Sequence, residues 1–443
     1  MKADQFLIIL ALMVSAAVAQ KQSVPHTPLV GTDRLISLKV TGTKRYTDKE
    51  VLAACGLQIG QSAADGDFKE AVQRIGSSGF FSDVSYSYSS SGTGVRLELR
   101  LADVDSANLV PAQFENFVWF TDAELQSALR ARVPLFKQLL PLTGSLSDQV
   151  TEALQSILSE KHLPGHVDVT PHQDVPGGLL SSFVYRVEEL TIRIHAIEFP
   201  GASAEHAALL ATAARRLVGA EYGRTALVET AKYDLLPVYQ QRGYLKAAFG
   251  IPEARVIAQP AAEPDASNLA DIQVDAVIPV TPGKVYVSSG VDWKGTSAIH
   301  TDEVSARLHL APGQPADAVR LVRDIEDVTK LYRSRGYMMV KVKTDAQFDD
   351  VKSAVHYDID VVEGDQYKMG ELDILGLDTQ AQARLQAAWT LAAGQPYNAD
   401  YPKKFLAQTH ELVPRGVQWS VNVRETPDAR DKTVDVEIRF RQQ

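Results

Sequence analysis

The chain repeats itself, and glycines mark the repeat. Four stretches of the 443-residue sequence pass through the same order of events. First, an alternating apolar run ends at a glycine. Leu35-Ile36-Ser37-Leu38-Lys39-Val40 ends at Gly42, Ile192 to Phe199 at Pro200-Gly201, Val285 through Trp293 at Gly295, and Leu372-Asp373-Ile374-Leu375 at Gly376. A helix start follows. Thr47-Asp48-Lys49-Glu50 and Thr121-Asp122-Ala123-Glu124 have capping-box spacing, and Thr301-Asp302-Glu303 offers a cap with an acidic first turn. A second glycine then breaks the helical pattern, at Gly60, Gly219, Gly313 and Gly394. Helix interiors disfavour glycine by about 1 kcal/mol, so these positions read as the end of the first helix.

A second helix follows, with apolar residues three and four apart: Phe68, Val72 and Ile75, or Leu321, Ile325, Val328 and Leu331. A third glycine precedes an aromatic or apolar residue, in Gly79-Phe80-Phe81, Gly243-Tyr244, Gly336-Tyr337 and Gly416-Val417. A left-handed helix cap suits a residue without Cβ there. Two alternating strands close each unit. In the first unit they carry Val84, Tyr86 and Tyr88, then Val95, Leu97, Leu99 and Leu101. In the last they carry Val417, Trp419, Val421 and Val423, then Val434, Val436, Ile438 and Phe440. The order strand, helix, helix, strand, strand predicts an α+β fold of five tandem domains in an elongated array.

The expected boundaries are 34–103, 104–190, 191–282, 283–364 and 365–443. The second unit is divergent: it lacks the strand-ending glycine, and Pro164-Gly165 replaces the glycine-aromatic step. It also carries an apolar stretch from Val133 to Leu142 between its helices. The third has an Ala- and Pro-rich insertion, Ala258 to Asn268, expected as an exposed loop in its final hairpin. Ahead of the repeats, Phe6 to Val14 is a short apolar run followed by Ala17-Val18-Ala19, the pattern of a signal peptide over residues 1–19. Residues 20–33 read as a flexible leader. The chain is therefore expected to be exported, with cleavage or retention of that segment left open.

In these residues the chain resembles POTRA domains, the polypeptide-transport-associated modules of the outer-membrane protein assembly family. The resemblance rests on Gly79-Phe80-Phe81-Ser82-Asp83-Val84, Tyr239-Gln240-Gln241-Arg242-Gly243-Tyr244, Tyr332-Arg333-Ser334-Arg335-Gly336-Tyr337 and Val362-Glu363-Gly364-Asp365-Gln366-Tyr367. It implies three-stranded mixed sheets with two helices on one face, the first and second strands at the edges and the third in the centre. It also implies a periplasmic location associated with the outer membrane. Relatives carry a membrane β-barrel after the last POTRA domain; here the fifth unit runs to Gln443, so no barrel, and no insertase activity, is expected of this chain.

Exposed sheet edges present unpaired backbone groups to another strand. Adding an extended peptide there gives affinity with loose sequence demand. The expected second strands are Ser82 to Tyr88, Tyr244 to Phe249, Tyr337 to Lys343 and Val417 to Val423. From these, Tyr244, Leu245, Lys246, Ala247, Ala248 and Phe249, with Tyr337, Met338, Met339, Val340 and Lys341, are candidate protein-binding residues. Lys341 and Lys343 also fit an edge blunted against pairing, and Tyr244 and Tyr337 fit core anchors. In the apolar stretch, Leu135, Phe136, Leu139 and Leu140 are either a partner-binding patch or packing beneath their own domain.

Forty-five Lys and Arg stand against 55 Asp and Glu, a net charge of -10, which gives no basic excess for nucleic acid. At most peripheral membrane contact is expected. The single Cys55 excludes an intramolecular disulfide and reads as a small buried hydrophobe. His162, His166 and His172 share no helical face, and no metal or cofactor is expected. No nucleophile elbow, zinc-protease or phosphate-loop motif is present, so no catalytic residue is assigned. The expected function is a protein-binding scaffold in outer-membrane protein assembly or translocation. Its partners would be unfolded outer-membrane proteins or a barrel-bearing assembly protein, with the oligomeric state open. The alternative is a non-catalytic spacer or adaptor of the envelope or division machinery.

Overall fold

The structure, a computed structural model, describes residues 33–258, 270–414 and 417–442. The signal peptide, nearly all of the leader, the third unit's insertion except Ala258, and Gly416 lie outside the described residues. The chain divides into two compact bodies. Residues 1–113, 122–163 and 167–185 make the first, and 114–121, 164–166 and 186–443 the second.

In the first body, strand Asp33–Thr41 runs parallel to Gly94–Asp103, which pairs antiparallel with Phe81–Ser91. Helices Asp48–Cys55 and Asp65–Ser77 lie between the first and second of these strands in sequence. The capping box forms: Thr47 N donates to the Glu50 carboxylate at 2.8 Å, and Glu50 N to Thr47 Oγ1 at 3.3 Å. A second sheet has the order Leu139–Pro141, Leu109–Phe114, Ser182–Glu188, His166–His172, with helices Asp122–Arg132 and Leu146–Glu160.

The second body holds three sheets of one design. Their central strands, Ala270–Val277, Ala354–Val362 and Thr433–Gln442, run parallel to Leu190–Glu198, Val287–Lys294 and Lys368–Leu375. On the other side they pair antiparallel with Glu253–Ala258, Lys341–Asp349 and Trp419–Asp428. Strands Glu253–Ala258 and Ala270–Val277 flank the insertion, so it joins two hairpin partners. The third strand is thus the middle of each sheet. Its alternation explains why: Val434, Val436, Ile438 and Phe440 are all at most 3 % exposed. Each such burial stabilises by about 1.5–3 kcal/mol.

Two local expectations change. The second glycine does not end the first helix. In the first repeat that helix stops at Gly56, whose φ is +72°, four residues before Gly60, and Gly313 lies well beyond the helix Thr301–Ser305. Thr301 is the first residue of its helix, and His300 occupies the cap.

Candidate functional site

The second glycines have another task. Gly60, Gly219, Gly313 and Gly394 each donate an N–H at 2.7 Å to the first strand of their own sheet, to the carbonyls of Leu35, Ile194, Ser288 and Met369. The same four first-strand residues return an N–H to the carbonyl of Gln61, Ala220, Gln314 and Gln395 at 2.8–3.0 Å. A Cβ on any of the four glycines would meet nothing within 4 Å, so the demand for glycine is the positive φ alone. In the second sheet the apolar stretch does this work. Strand Leu139–Pro141 pairs antiparallel with Leu109–Phe114. Each first-strand edge is therefore capped over its opening residues by its own repeat.

The second-strand edges are open. Phe81–Ser91, His166–His172, Glu253–Ala258, Lys341–Asp349 and Trp419–Asp428 each end their sheet, with no further strand beside them among the described residues. Three of them are blunted. His166–His172 contains Pro171, Trp419–Asp428 contains Pro427, and Lys341–Asp349 carries Lys341 and Lys343. Lys343 is paired with Asp345 at 2.8 Å on the surface. Phe81–Ser91 has eleven residues and neither proline, lysine nor arginine.

Ser82 to Tyr88, Lys341 to Lys343 and Trp419 to Val423 lie on second strands as expected, but most of the candidate binding residues lie elsewhere. Tyr244, Leu245, Lys246 and Ala247 form a turn, and Ala248–Phe249 is a two-residue strand already paired with Val280–Thr281. The edge strand of that repeat is Glu253–Ala258. Tyr337, Met338, Met339 and Val340 are likewise a turn, and only Lys341 begins the open edge. The physical cause is the glycine before each tyrosine. Gly243 and Gly336 have φ of +83° and +91°, and Tyr244 N and Tyr337 N fold back onto the carbonyls of Tyr239 and Tyr332 at 3.2 and 3.1 Å. The chain must finish this turn before it can extend.

That turn is a junction between repeats. Tyr286 N donates to Gly243 O, and Tyr367 N to Gly336 O, both at 2.8 Å. A Cβ on Gly243 or Gly336 would sit 2.7 or 2.6 Å from the carbonyl oxygen of that same tyrosine. The tyrosine of each turn packs into its own repeat: Tyr244 lies 5.5 Å from Tyr239, and Tyr337 lies 6.0 Å from Tyr332, centroid to centroid. The following residue points the other way. Leu245 packs against the cluster of Tyr286, Ala316 and Leu321, and Met338 is buried with Tyr367, Met369 and Ile374. Lys246 adds an ion pair to Asp350 at 2.6 Å and stands 4.7 Å from the Phe348 ring centroid. Met339 is 55 % exposed and Val340 buried.

In the first body the apolar stretch is buried rather than displayed. Leu135, Phe136 and Leu140 are at most 4 % exposed, and Leu139 alone of the four is exposed, at 41 %. Tyr46 OH donates to Leu135 O at 2.9 Å, and Lys137 Nζ reaches Arg45 O at 2.7 Å and Glu50 at 2.8 Å. Burial alone would raise the Glu50 pKa, but the Lys137 bond and the Thr47 donors outweigh it and hold the carboxyl below its usual range. Ser145 N binds Ser77 O at 2.8 Å. In the second body Asn116, 2 % exposed, clasps Val187 through two hydrogen bonds of 2.9 and 2.8 Å. Beside it, Glu115 accepts from Thr225 Oγ1 at 2.7 Å. Neither contact carried a sequence signal, since their partners lie 71 and 110 residues away.

Residues 285–364 match the family described as Surface antigen variable number repeat. This stretch is a POTRA domain. The POTRA match spans the whole of the fourth sheet described above. Solved structures with similar sections include a crystal structure of Haemophilus influenzae BamA POTRA3-5, at 16% identity and a TM-score of 0.42, over 57% of this chain and 96% of that one. The N-terminal domain of Omp85 from the thermophilic cyanobacterium Thermosynechococcus elongatus is also similar, at 16% identity and a TM-score of 0.23, over 58% of this chain and 99% of that one. CdiB from Escherichia coli follows at 16% identity and a TM-score of 0.20, over 49% of this chain and 35% of that one.

Among the described residues no helix is long and apolar enough to cross a membrane. Cys55 is 2 % exposed, and burial pushes its thiol up to about 12, away from nucleophilic chemistry.

Proposed function

We propose that this chain binds proteins in the periplasm during outer-membrane protein assembly or translocation, by accepting an extended strand on its open second-strand edges. Its partners on this reading are unfolded outer-membrane chains or a barrel-bearing assembly protein. One observation carries the reading: each repeat caps the opening residues of its first-strand edge and leaves its second-strand edge without any partner among the described residues. Of the open edges, Phe81–Ser91 combines the greatest length with the absence of proline and lysine. That makes it the preferred acceptor. The POTRA match over residues 285–364 supports the choice of pathway.

The test uses the full chain and a fluorescent peptide of alternating threonine and valine. Two further versions carry N-methyl groups on alternate amides, one set each. In an edge-paired strand only one set of amides faces the sheet. One methylated version is therefore expected to bind like the parent and the other to lose binding. Placing lysines at Ser87 and Ser89 should weaken the parent peptide by about tenfold or more. Equal binding of both methylated versions would sink the proposal. Failure of every peptide to bind would favour the spacer reading, in which the latched junctions alone matter.

A further inference from the structure

Within the first body, helix Asp48–Cys55 and the last turn of helix Asp122–Arg132 wall a cleft of about 630 Å³. That is the size of a ligand site, and a seam between two sheets is a common place for one. Its apolar lining is made by Ala53, Ala131, Pro134 and the buried Phe136. Its rim is cationic, with Lys49, Arg130 and Lys137. Lys137 is committed: it holds Glu50 at 2.8 Å and Arg45 O at 2.7 Å, and stands 4.8 Å from the Tyr46 ring centroid. That pairing also consumes the one carboxylate lining the cleft. The Lys49 and Arg130 side chains are exposed and, among the described residues, make no hydrogen bond or ion pair. Two uncommitted cations over one apolar lining run against the net charge of -10 of the whole chain.

We infer that this cleft binds an acidic peptide segment, with carboxylates on Lys49 and Arg130 and small apolar side chains against Ala53, Ala131 and Pro134. The volume and the rim decide the occupant. A lone phosphate group fills only a small part of such a space. An acyl chain would offer nothing to the two cations of the rim. An extended peptide puts successive side chains on opposite faces and supplies both chemistries at once. This recognition works through side chains, whereas edge pairing works through the backbone, so the inference stands or falls apart from the proposed strand addition.

The probe is a fluorescent peptide of four Glu-Ala pairs, with a Gln-Ala version as its neutral counterpart, measured by anisotropy on the full chain. The acidic peptide is expected to bind, to weaken as salt rises from about 50 to about 500 mM, and to exceed the neutral one by about tenfold or more. K49E/R130E should lose the acidic peptide and gain a Lys-Ala one. R424E/R441E makes the same charge change on the sheet face of the fifth repeat and should leave binding intact. All these side chains are exposed, and an unchanged melting curve confirms that each variant is folded. N-methylation of either amide set should spare binding. No binding of the acidic peptide would overturn the inference, as would equal weakening by R424E/R441E. Binding of phosphatidylglycerol vesicles with the same dependence on Lys49 and Arg130 would replace the peptide with a membrane surface.

Discussion

Repeats three and four are built on one backbone plan and locked by different chemistry. Each has a fully buried tyrosine four residues before its junction glycine, Tyr239 before Gly243 and Tyr332 before Gly336. Tyr332 OH donates to Glu363 at 2.9 Å, and that carboxylate also accepts from Ala298 N at 2.9 Å. Tyr239 OH has no protein partner, and its ring is held by His206 and Tyr244 at 4.7 and 5.5 Å between centroids. The junctions that follow differ in the same spirit. Met338 is buried in the core of repeat five, whereas Leu245 is only half-buried and has the Lys246–Asp350 pair beside it. The repeat keeps the ladder that positions each neighbour and varies what fastens it.

The largest expected effects test the fastening. Met338→Asp places a charge in the core of repeat five and should cost about 3 kcal/mol or more. Leu245→Asp should cost about 1–2 kcal/mol, because a half-buried charge keeps part of its hydration. Native-state amide exchange of Tyr367 and Tyr286 reads each junction separately, which a global melting curve of a multi-domain chain does not. Equal effects at both sites would end the distinction. The glycines sharpen it further. Gly313→Ala carries only the strain of a positive φ, about 1–2 kcal/mol. Gly336→Ala adds a Cβ 2.6 Å from the Tyr367 carbonyl and should cost clearly more in the same measurement.

Next come the tyrosines. Tyr332→Phe removes a hydrogen bond to a charged acceptor and should cost about 1.5–3 kcal/mol. Tyr239→Phe removes a hydroxyl that no protein group satisfies, and should be neutral or slightly stabilising. Exchange of the helix Ala318–Arg333, which carries Tyr332, against that of Leu236–Gln240, which carries Tyr239, gives the comparison. A loss in Tyr239→Phe equal to that in Tyr332→Phe would mean the two buried rings are held alike.

Much of the fold was legible because positive φ leaves a mark in sequence. Gly60, Gly219, Gly313 and Gly394 were visible as a set, and the alternation of Val434 to Phe440 announced a half-buried strand, whose central place came from the resemblance to POTRA domains. What those glycines do was not visible. A helix stop and an edge closure both need the same residue, and only the carbonyl it meets tells them apart. The interaction residues were harder. Leu245, Ala247 and Phe249 alternate like a strand, yet the turn forced by Gly243 puts Leu245 against the next repeat. The stretch Val133 to Leu142 carried an apolar signal without a direction. Its direction comes from Tyr46, 89 residues away from Leu135.

The smallest effect concerns the surface latch between repeats three and four. Lys246, and then the Tyr286 hydroxyl, hold the Asp350 carboxyl below its usual range, against a desolvation that would raise it. A depressed carboxylate contributes stability above its unfolded pKa of about 3.9, and that contribution is lost as pH falls through the folded value. Asp350 raises the Lys246 pKa in turn, so the lysine's share is present below about 10.4 and lost as pH climbs past its folded value. The latch should therefore be constant from about pH 4 to pH 10 and loosen at either end. Both groups are exposed, so the change is small and salt weakens it. The expected result is a modest acceleration of Tyr286 amide exchange below pH 4, after correction for the intrinsic rate, with Tyr367 unaffected. Lys246→Gln should give Tyr286 the faster exchange at neutral pH and shrink the acid step, leaving only the part due to the Tyr286 hydroxyl. If the acid step is undiminished by that substitution, the Lys246–Asp350 pair does not fasten the junction, and Leu245 with the Gly243 hydrogen bond holds it without that pair.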